Sequence, residues 1–235
     1  SLSQALSVCV FTYYNDCLFC VNRDMASFTC KCGLVNVTLC GEKSRTRMNC
    51  CCCDCYQKLE WAASNGGPTL PEHYQNKKSP VVGEHWNGRV VVTGKDHLAF
   101  NKLHEKAVSV NCVAQCCSTI LFVDHPAYQG NCIFLFPEMI KMKNSIHADK
   151  AIVITWINDW SEENKQNLDS SLPGCYVDES GQFMGTGNFG EAIQKVMGMW
   201  DQPPDALEGG QSFAELLREC GGDIVNLSLE ERKRH

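Results

Sequence analysis

The sequence has no apolar run approaching the ~20 uninterrupted positions of a membrane-spanning helix, which argues against a helical span. It has no excess of positive charge either. Lys and Arg number 21 against 27 Asp and Glu, a formal net charge of −6. The whole molecule therefore gains no long-range attraction to nucleic acid or to an anionic membrane. It has no internal repeat. Hydrophobic residues make up 44% and charged residues 20% of the 235 positions, which fits a globular chain of one sizeable domain, with or without appendages.

Cysteine is what the chain has in excess, with 17. An odd count with clustered Cys-x-Cys spacing reads as thiolate metal chemistry in a reducing compartment, hence a cytoplasmic protein, and not as a secreted disulfide scaffold. The run Cys50-Cys51-Cys52-Cys53-Asp54-Cys55 carries the strongest signal. Adjacent cysteines cannot all find unstrained disulfide partners. They can converge on one small cation. A tight turn places Cys50, Cys52 and Cys55 within reach of a single Zn²⁺ at about 2.3 Å, leaving one tetrahedral position open. An open position is the mark of a catalytic zinc.

Two further groups, Cys30-Lys31-Cys32-Gly33 and Cys112-Val113-Ala114-Gln115-Cys116-Cys117-Ser118-Thr119, suit a closed four-sulfur zinc site. The second lies between two expected strands, where a hairpin turn would carry it to Cys30 and Cys32. Such a site would join segments far apart in sequence and add folding free energy. Cys116 is favoured as a ligand, with Cys112 as its partner. Cys117 is the alternative, set lower because adjacent residues rarely both bind one metal. The expectation is two zinc ions per chain, one structural and one catalytic.

Most elements read as short strands. Phe28 to Leu39 alternates, with Val35, Val37 and Leu39 on one face. Arg89 to Thr93, Ala107 to Val113, Thr119 to Val123, Ile133 to Phe136 and Ala151 to Trp156 favour β structure. Helices are expected over Cys55 to Ser64, Phe189 to Trp200 and Ser212 to Cys220. The break Gln202-Pro203-Pro204-Asp205 sets off residues 201–235 as a helical tail ending in a solvated or frayed Glu230 to His235. Residues 1–24 precede a start-like Met25 and read as an extension outside a domain of residues 25–200. Within them, Cys17-Leu18-Phe19-Cys20 is a lone CxxC, a weak metal signal.

The order of these motifs is specific. Cys30-Lys31-Cys32-Gly33, then Cys50-x-Cys52-x-x-Cys55, then Gly94-Lys95-Asp96-His97-Leu98, then a cysteine pair followed by Ser118-Thr119 resembles the glutathione-dependent formaldehyde-activating enzyme family, also called the CENP-V/GFA domain. The resemblance covers about residues 26–160. It implies a mainly β, Mss4-like zinc-binding fold with a few peripheral helices. It also implies that Cys30, Cys32, Cys116 and Cys112 hold a structural zinc, and that Cys50, Cys52 and Cys55 hold the catalytic one. The chain looks like a divergent member: Cys51 stands where the family commonly has His, and Cys117 where it has Gly.

The activity implied by the resemblance is that of a carbon–sulfur lyase interconverting formaldehyde, glutathione and S-hydroxymethylglutathione. The partner is then a small-molecule thiol such as glutathione. No general base stands out among His73, His85, His97, His104 and His125, while Asp54 adjoins the catalytic turn. A second reading is a non-enzymatic zinc module that recognises a protein partner. A free coordination position lined by a pocket would favour the enzyme. The motif Gly185-Thr186-Gly187-Asn188-Phe189-Gly190 fits GxGxxG, but the sequence offers no strand leading into it, so it reads as a loop before a helix. Trp156 and Trp160 are expected in the core. Cys40, Cys132, Cys175 and Cys220 are expected as buried small hydrophobes.

Overall fold

The computed structural model describes residues 25–231. The expectations for residues 1–24, including Cys17 and Cys20, and for the last four residues lie outside them.

Among the described residues the fold is mainly β, with few helices. The strands in chain order are β1 (Ser27–Thr29), β2 (Asn36–Leu39), β3 (Thr46–Cys50), β4 (Val81–Asn87), β5 (Val90–Thr93), β6 (Leu98–Lys102) and β7 (Val110–Ala114). They continue with β8 (Thr119–Asp124), β9 (Cys132–Leu135), β10 (Lys141–Lys143), β11 (Ile154–Thr155), β12 (Gly174–Val177), β13 (Phe183–Gly185) and β14 (Val225–Asn226). The α-helices are α1 (Cys53–Ser64), α2 (Glu162–Lys165), α3 (Phe189–Trp200) and α4 (Phe213–Glu219). A small sheet runs β10-β1-β2-β5, and a ten-stranded sheet runs β13-β12-β11-β3-β4-β9-β8-β7-β6-β14.

The middle of the large sheet is buried on both faces, and its pleat divides the core in two. Side chains of successive strand residues point to opposite faces. Along β9, Cys132 and Phe134 enter one core with α1 and α3, while Ile133 and Leu135 enter the other with the small sheet and α4. Val35, Val37 and Leu39 are all fully buried on the second core, as their alternation predicts.

Several expectations change in three dimensions. Phe28 to Leu39 is two strands folded about a tight turn, because Gly33 takes φ = +84° and reverses the chain at Cys30–Val35. Ala151 to Trp156 keeps only Ile154–Thr155 as strand. The segment beyond residue 200 is helical only at α4, and it is fastened to the body. Arg45 donates from Nη1 to the carbonyls of Asn131 and Gln202 and from Nη2 to that of Pro203. Phe213 and Leu216 are buried in the second core. Past α4 the chain is extended, with β14 parallel to β6, so Glu230 and Glu231 do not end a helix.

The GxGxxG segment does have a strand before it. However, β13 runs antiparallel to β12, and no parallel βα unit forms there. Gly185 is required by close approach: a Cβ would stand 2.1 Å from the Gly174 carbonyl oxygen and 2.8 Å from the Phe189 ring. Its smallness serves packing. Among the described residues no helix is long and apolar enough to cross a membrane.

Candidate metal centres and the cavity beside them

The described cysteines are free thiols, and seven of them form two groups. In the first, the sulfurs of Cys30, Cys32, Cys116 and Cys117 all lie within 4.8 Å of one another. Two turns bring them together, one between β1 and β2 and one between β7 and β8. The backbone N–H of Lys31 donates to Thr119 Oγ1 at 3.0 Å and ties the turns to each other. The Val35 N–H donates to Cys30 Sγ at 3.3 Å. Sulfur separations of 3.5 Å (Cys30–Cys32), 3.9 Å (Cys30–Cys116) and 3.2 Å (Cys32–Cys116) bracket the ~3.8 Å edge of a tetrahedron with 2.3 Å metal–sulfur bonds. The donor set therefore fits a closed four-sulfur zinc site.

The fourth member is Cys117, and Cys112 does not belong. Cys112 lies within β7, opposite Phe100 and Phe122 in register, and its side chain is fully buried in the second core. Burial pushes its thiol well up, as expected of a core residue. The objection to adjacent ligands holds for a strand, where neighbours point to opposite faces. Cys116 and Cys117 sit instead in a turn that reverses at Ser118, with φ = +51°. Burial pushes the Cys117 thiol up, but the Thr119 hydroxyl and the N–H groups of Cys32 and Thr119 outweigh it and hold it at about 6.

The second group is Cys50, Cys52 and Cys55, all buried and again mutually within 4.8 Å. Its local construction is simple. Cys50 ends β3, Cys52 is the N-cap of α1, and Cys55 lies in the first turn. The Cys55 N–H donates to Cys52 Sγ at 3.2 Å, and the Cys52 N–H to Cys50 Sγ at 3.5 Å. A helix N-terminus stabilises negative charge. The Cys52 and Cys55 thiols hydrogen-bond to Cys50 and hold it well below the ordinary thiol range. In return, Cys50 pushes Cys52 up to about 12 and Cys55 well above the usual value. The remaining cysteines of the run turn elsewhere. Cys51 is fully buried, and the Cys53 sulfur accepts from Lys77 Nζ at 3.5 Å. Among the described residues, no fourth His, Cys, Asp or Glu completes this group.

A cavity lies against this group. It measures about 660 Å³ and is lined by Cys50, Cys52 and Cys55. The strands β4, β8, β9, β12 and β13, helix α3 and the segments after β6, β8 and β11 also contribute to its wall. Three of the five candidate histidines line it, His85, His104 and His125; His73 and His97 do not. His73 is exposed and pairs with Glu138 at 2.7 Å.

The three lining histidines differ. His85 is buried, and its Nε2 accepts from Trp200 Nε1 at 3.0 Å; burial pushes it down to about 3, so it stays neutral. His125 accepts through Nδ1 from the Ala127 N–H at 3.1 Å, and burial and then Lys58 lower its pKa. Neither nitrogen of His104 has a hydrogen-bond partner among the described residues. Its Nε2 stands 3.9 Å from Asp54 Oδ1, and Asp54 also lines the cavity. His104 is thus the imidazole of the three that has both nitrogens unspent and a carboxylate beside it. Lys58 is buried at the same cavity and donates to Ser109 Oγ at 2.8 Å.

Sequence reasoning missed Lys58, Trp156 and Trp200 as parts of this wall. Trp160 is buried as expected, but Trp156 is only partly buried and takes φ = +60°, uncommon for a bulky residue. Among the cysteines expected in the core, Cys132 and Cys175 are buried, whereas Cys40 and Cys220 are half-buried. In comparisons with known proteins, no family model and no curated protein matches this chain.

Proposed function

We propose that the protein is a zinc-dependent carbon–sulfur lyase acting on the adduct of a thiol with formaldehyde or a related aldehyde, the chemistry of S-hydroxymethylglutathione. One observation carries the reading: three convergent sulfurs, with no fourth protein ligand among the described residues, line a cavity large enough for a small molecule. Zinc held by thiolates with an open position lowers the pKa of a bound thiol and polarises a carbonyl.

The chain's own residues supply the rest. In the cleavage direction the adduct HO–CH₂–S–R loses its hydroxyl proton to His104, and the oxygen electrons close the carbonyl. The C–S bond breaks with its electron pair on sulfur. His104 returns the proton to that sulfur, giving formaldehyde and H–S–R, so atoms and charges balance. Asp54 stabilises the imidazolium between the two transfers. His85, held neutral and hydrogen-bonded to Trp200, shapes the wall and moves no proton. The Cys30, Cys32, Cys116 and Cys117 group is the structural site. A second site closed by a fourth protein ligand would instead favour a non-enzymatic interaction module.

The test is metal analysis with exchange spectroscopy. Protein purified under reducing conditions is expected to hold two zinc ions per chain. It is expected to accelerate exchange between formaldehyde, thiol and adduct in NMR magnetisation-transfer measurements. Two zinc ions with no acceleration for any thiol tested would favour the interaction module. One zinc or none in folded protein would end the two-site reading.

A further inference from the structure

We infer that the cavity beside Cys50, Cys52 and Cys55 selects a thiol adduct with an apolar tail, alkyl or aryl, over a charged tripeptide thiol. The inference rests on the proposed lyase reading and names the substrate class of that same site.

The cavity's wall is the first observation. Phe134, Phe136, Trp156, Ile193, Val196 and Trp200 face it. Its rim is the second. Among the described residues, eight large apolar side chains are exposed, and three of them line this cavity: Val108 at 62%, Phe183 at 43% and Met197 at 41%. They come from three separate places in the chain, the approach to β7, the strand β13 and the helix α3. Exposed apolar side chains that gather at the mouth of a cavity mark a binding surface, whereas scattered ones need no explanation.

Charge is the third observation. The cavity is lined by four charged side chains: Asp54, Lys58, Lys106 and Glu231. Lys106 and Glu231 pair with each other at 2.8 Å, Lys58 is bonded to Ser109, and Asp54 faces His104. A tripeptide thiol would bring two carboxylates and an ammonium to a wall whose cations are already engaged. A charge moved into apolar surroundings without a partner is strongly penalised. An apolar tail gains on the same wall, and its polar head, one sulfur and one oxygen, needs only the sulfur group and His104.

The experiment measures binding to the zinc-containing protein by calorimetry and by the fluorescence of Trp156 and Trp200. The probes are 1-propanethiol, 1-hexanethiol, 1-hexanol and glutathione. Affinity is expected to rise from propanethiol to hexanethiol by roughly fourfold per methylene, the equivalent of about 0.8 kcal/mol each. Hexanethiol is expected to bind more tightly than hexanol and than glutathione. Met197→Arg at the rim is expected to keep the zinc content and to remove most of the gain with chain length. Phe183→Arg, on a different element, is the second variant should the first fail to fold.

Glutathione binding more tightly than hexanethiol, or a flat response to chain length, would overturn the inference while leaving a thiol-adduct lyase standing. Equal affinity for hexanol and hexanethiol, with the length dependence kept, would overturn the thiol reading while the apolar selectivity stands. Binding of none of the four would overturn both.

Discussion

The two cysteine groups use the same atom for opposite ends. The four-sulfur group sits at the tips of two turns, and Cys32 is exposed there. The three-sulfur group is buried at a strand–helix junction beneath a cavity. The first draws its ligands from segments 86 positions apart, so a metal there would clamp the fold. The second draws all three from one local turn, which the backbone of β3 and α1 already shapes. The number of sulfurs and the distance the chain travels between them thus distinguish the two groups, and under the proposed function they separate a clamp from a working site. One side chain links the two regions. Lys31, between the first two ligands of the clamp, donates from Nζ to the carbonyls of Gly66 and Gly67 just past the C-terminus of α1, at 3.0 and 2.9 Å. The three-sulfur group lies at that helix's other end.

The largest expected effect tests the clamp. Cys32→Ser, Cys116→Ser and Cys117→Ser should each lose one zinc and lower the melting temperature by roughly 10 °C or more, since several kcal/mol are at stake in a chain of this size. Cys52→Ser should lose the other zinc with a much smaller shift, and Cys112→Ser should keep both ions. Calorimetric melting beside elemental analysis decides it. Equal melting losses for Cys52→Ser and Cys32→Ser would erase the division between the groups.

A smaller effect on the fold, but a large one on chemistry, is expected at the cavity. His104→Gln should slow adduct exchange by about 10²–10⁴-fold with zinc content unchanged. Unchanged exchange in His104→Gln would reduce His104 to a packing role.

The smallest expected effect concerns acid. His85 titrates near 3 in the folded chain because it is buried, against about 6.5 when unfolded. The unfolded chain therefore binds more protons between those values. Stability conferred by keeping His85 neutral is complete above about 6.5 and is lost progressively as pH falls towards 3. Urea unfolding of wild type and His85→Gln across that range isolates this term from acid release of metal. Identical pH slopes for the two proteins would show that His85 does not set the acid limb.

The legibility of the sequence followed the range of the interactions. The helices at Cys53–Ser64 and Phe189–Trp200 and the strand at Thr119–Asp124 were readable because periodicity is a local property. The strands β3 and β4 were not. Thr46-Arg47-Met48-Asn49-Cys50 alternates inward and outward with few β-branched residues. β4 buries Glu84 and His85 completely, so polar letters conceal an interior strand. The edge strand β14 hid behind a charged tail, because its pairing to β6 is set by a segment far upstream.

By itself, the sequence determined the three-sulfur group. Cys50, Cys52 and Cys55 fall within one strand end and one helical turn, where spacing dictates direction. Tertiary structure alone decided that Cys117 and not Cys112 closes the first group, because the turn after β7 frees one side chain while the pleat of β7 buries the other. It also decided that a cavity walled by Trp156, Trp200 and His104 lies over the three sulfurs. Those residues come from segments with no common local pattern, and the packing of α3 and the large sheet is what places them side by side.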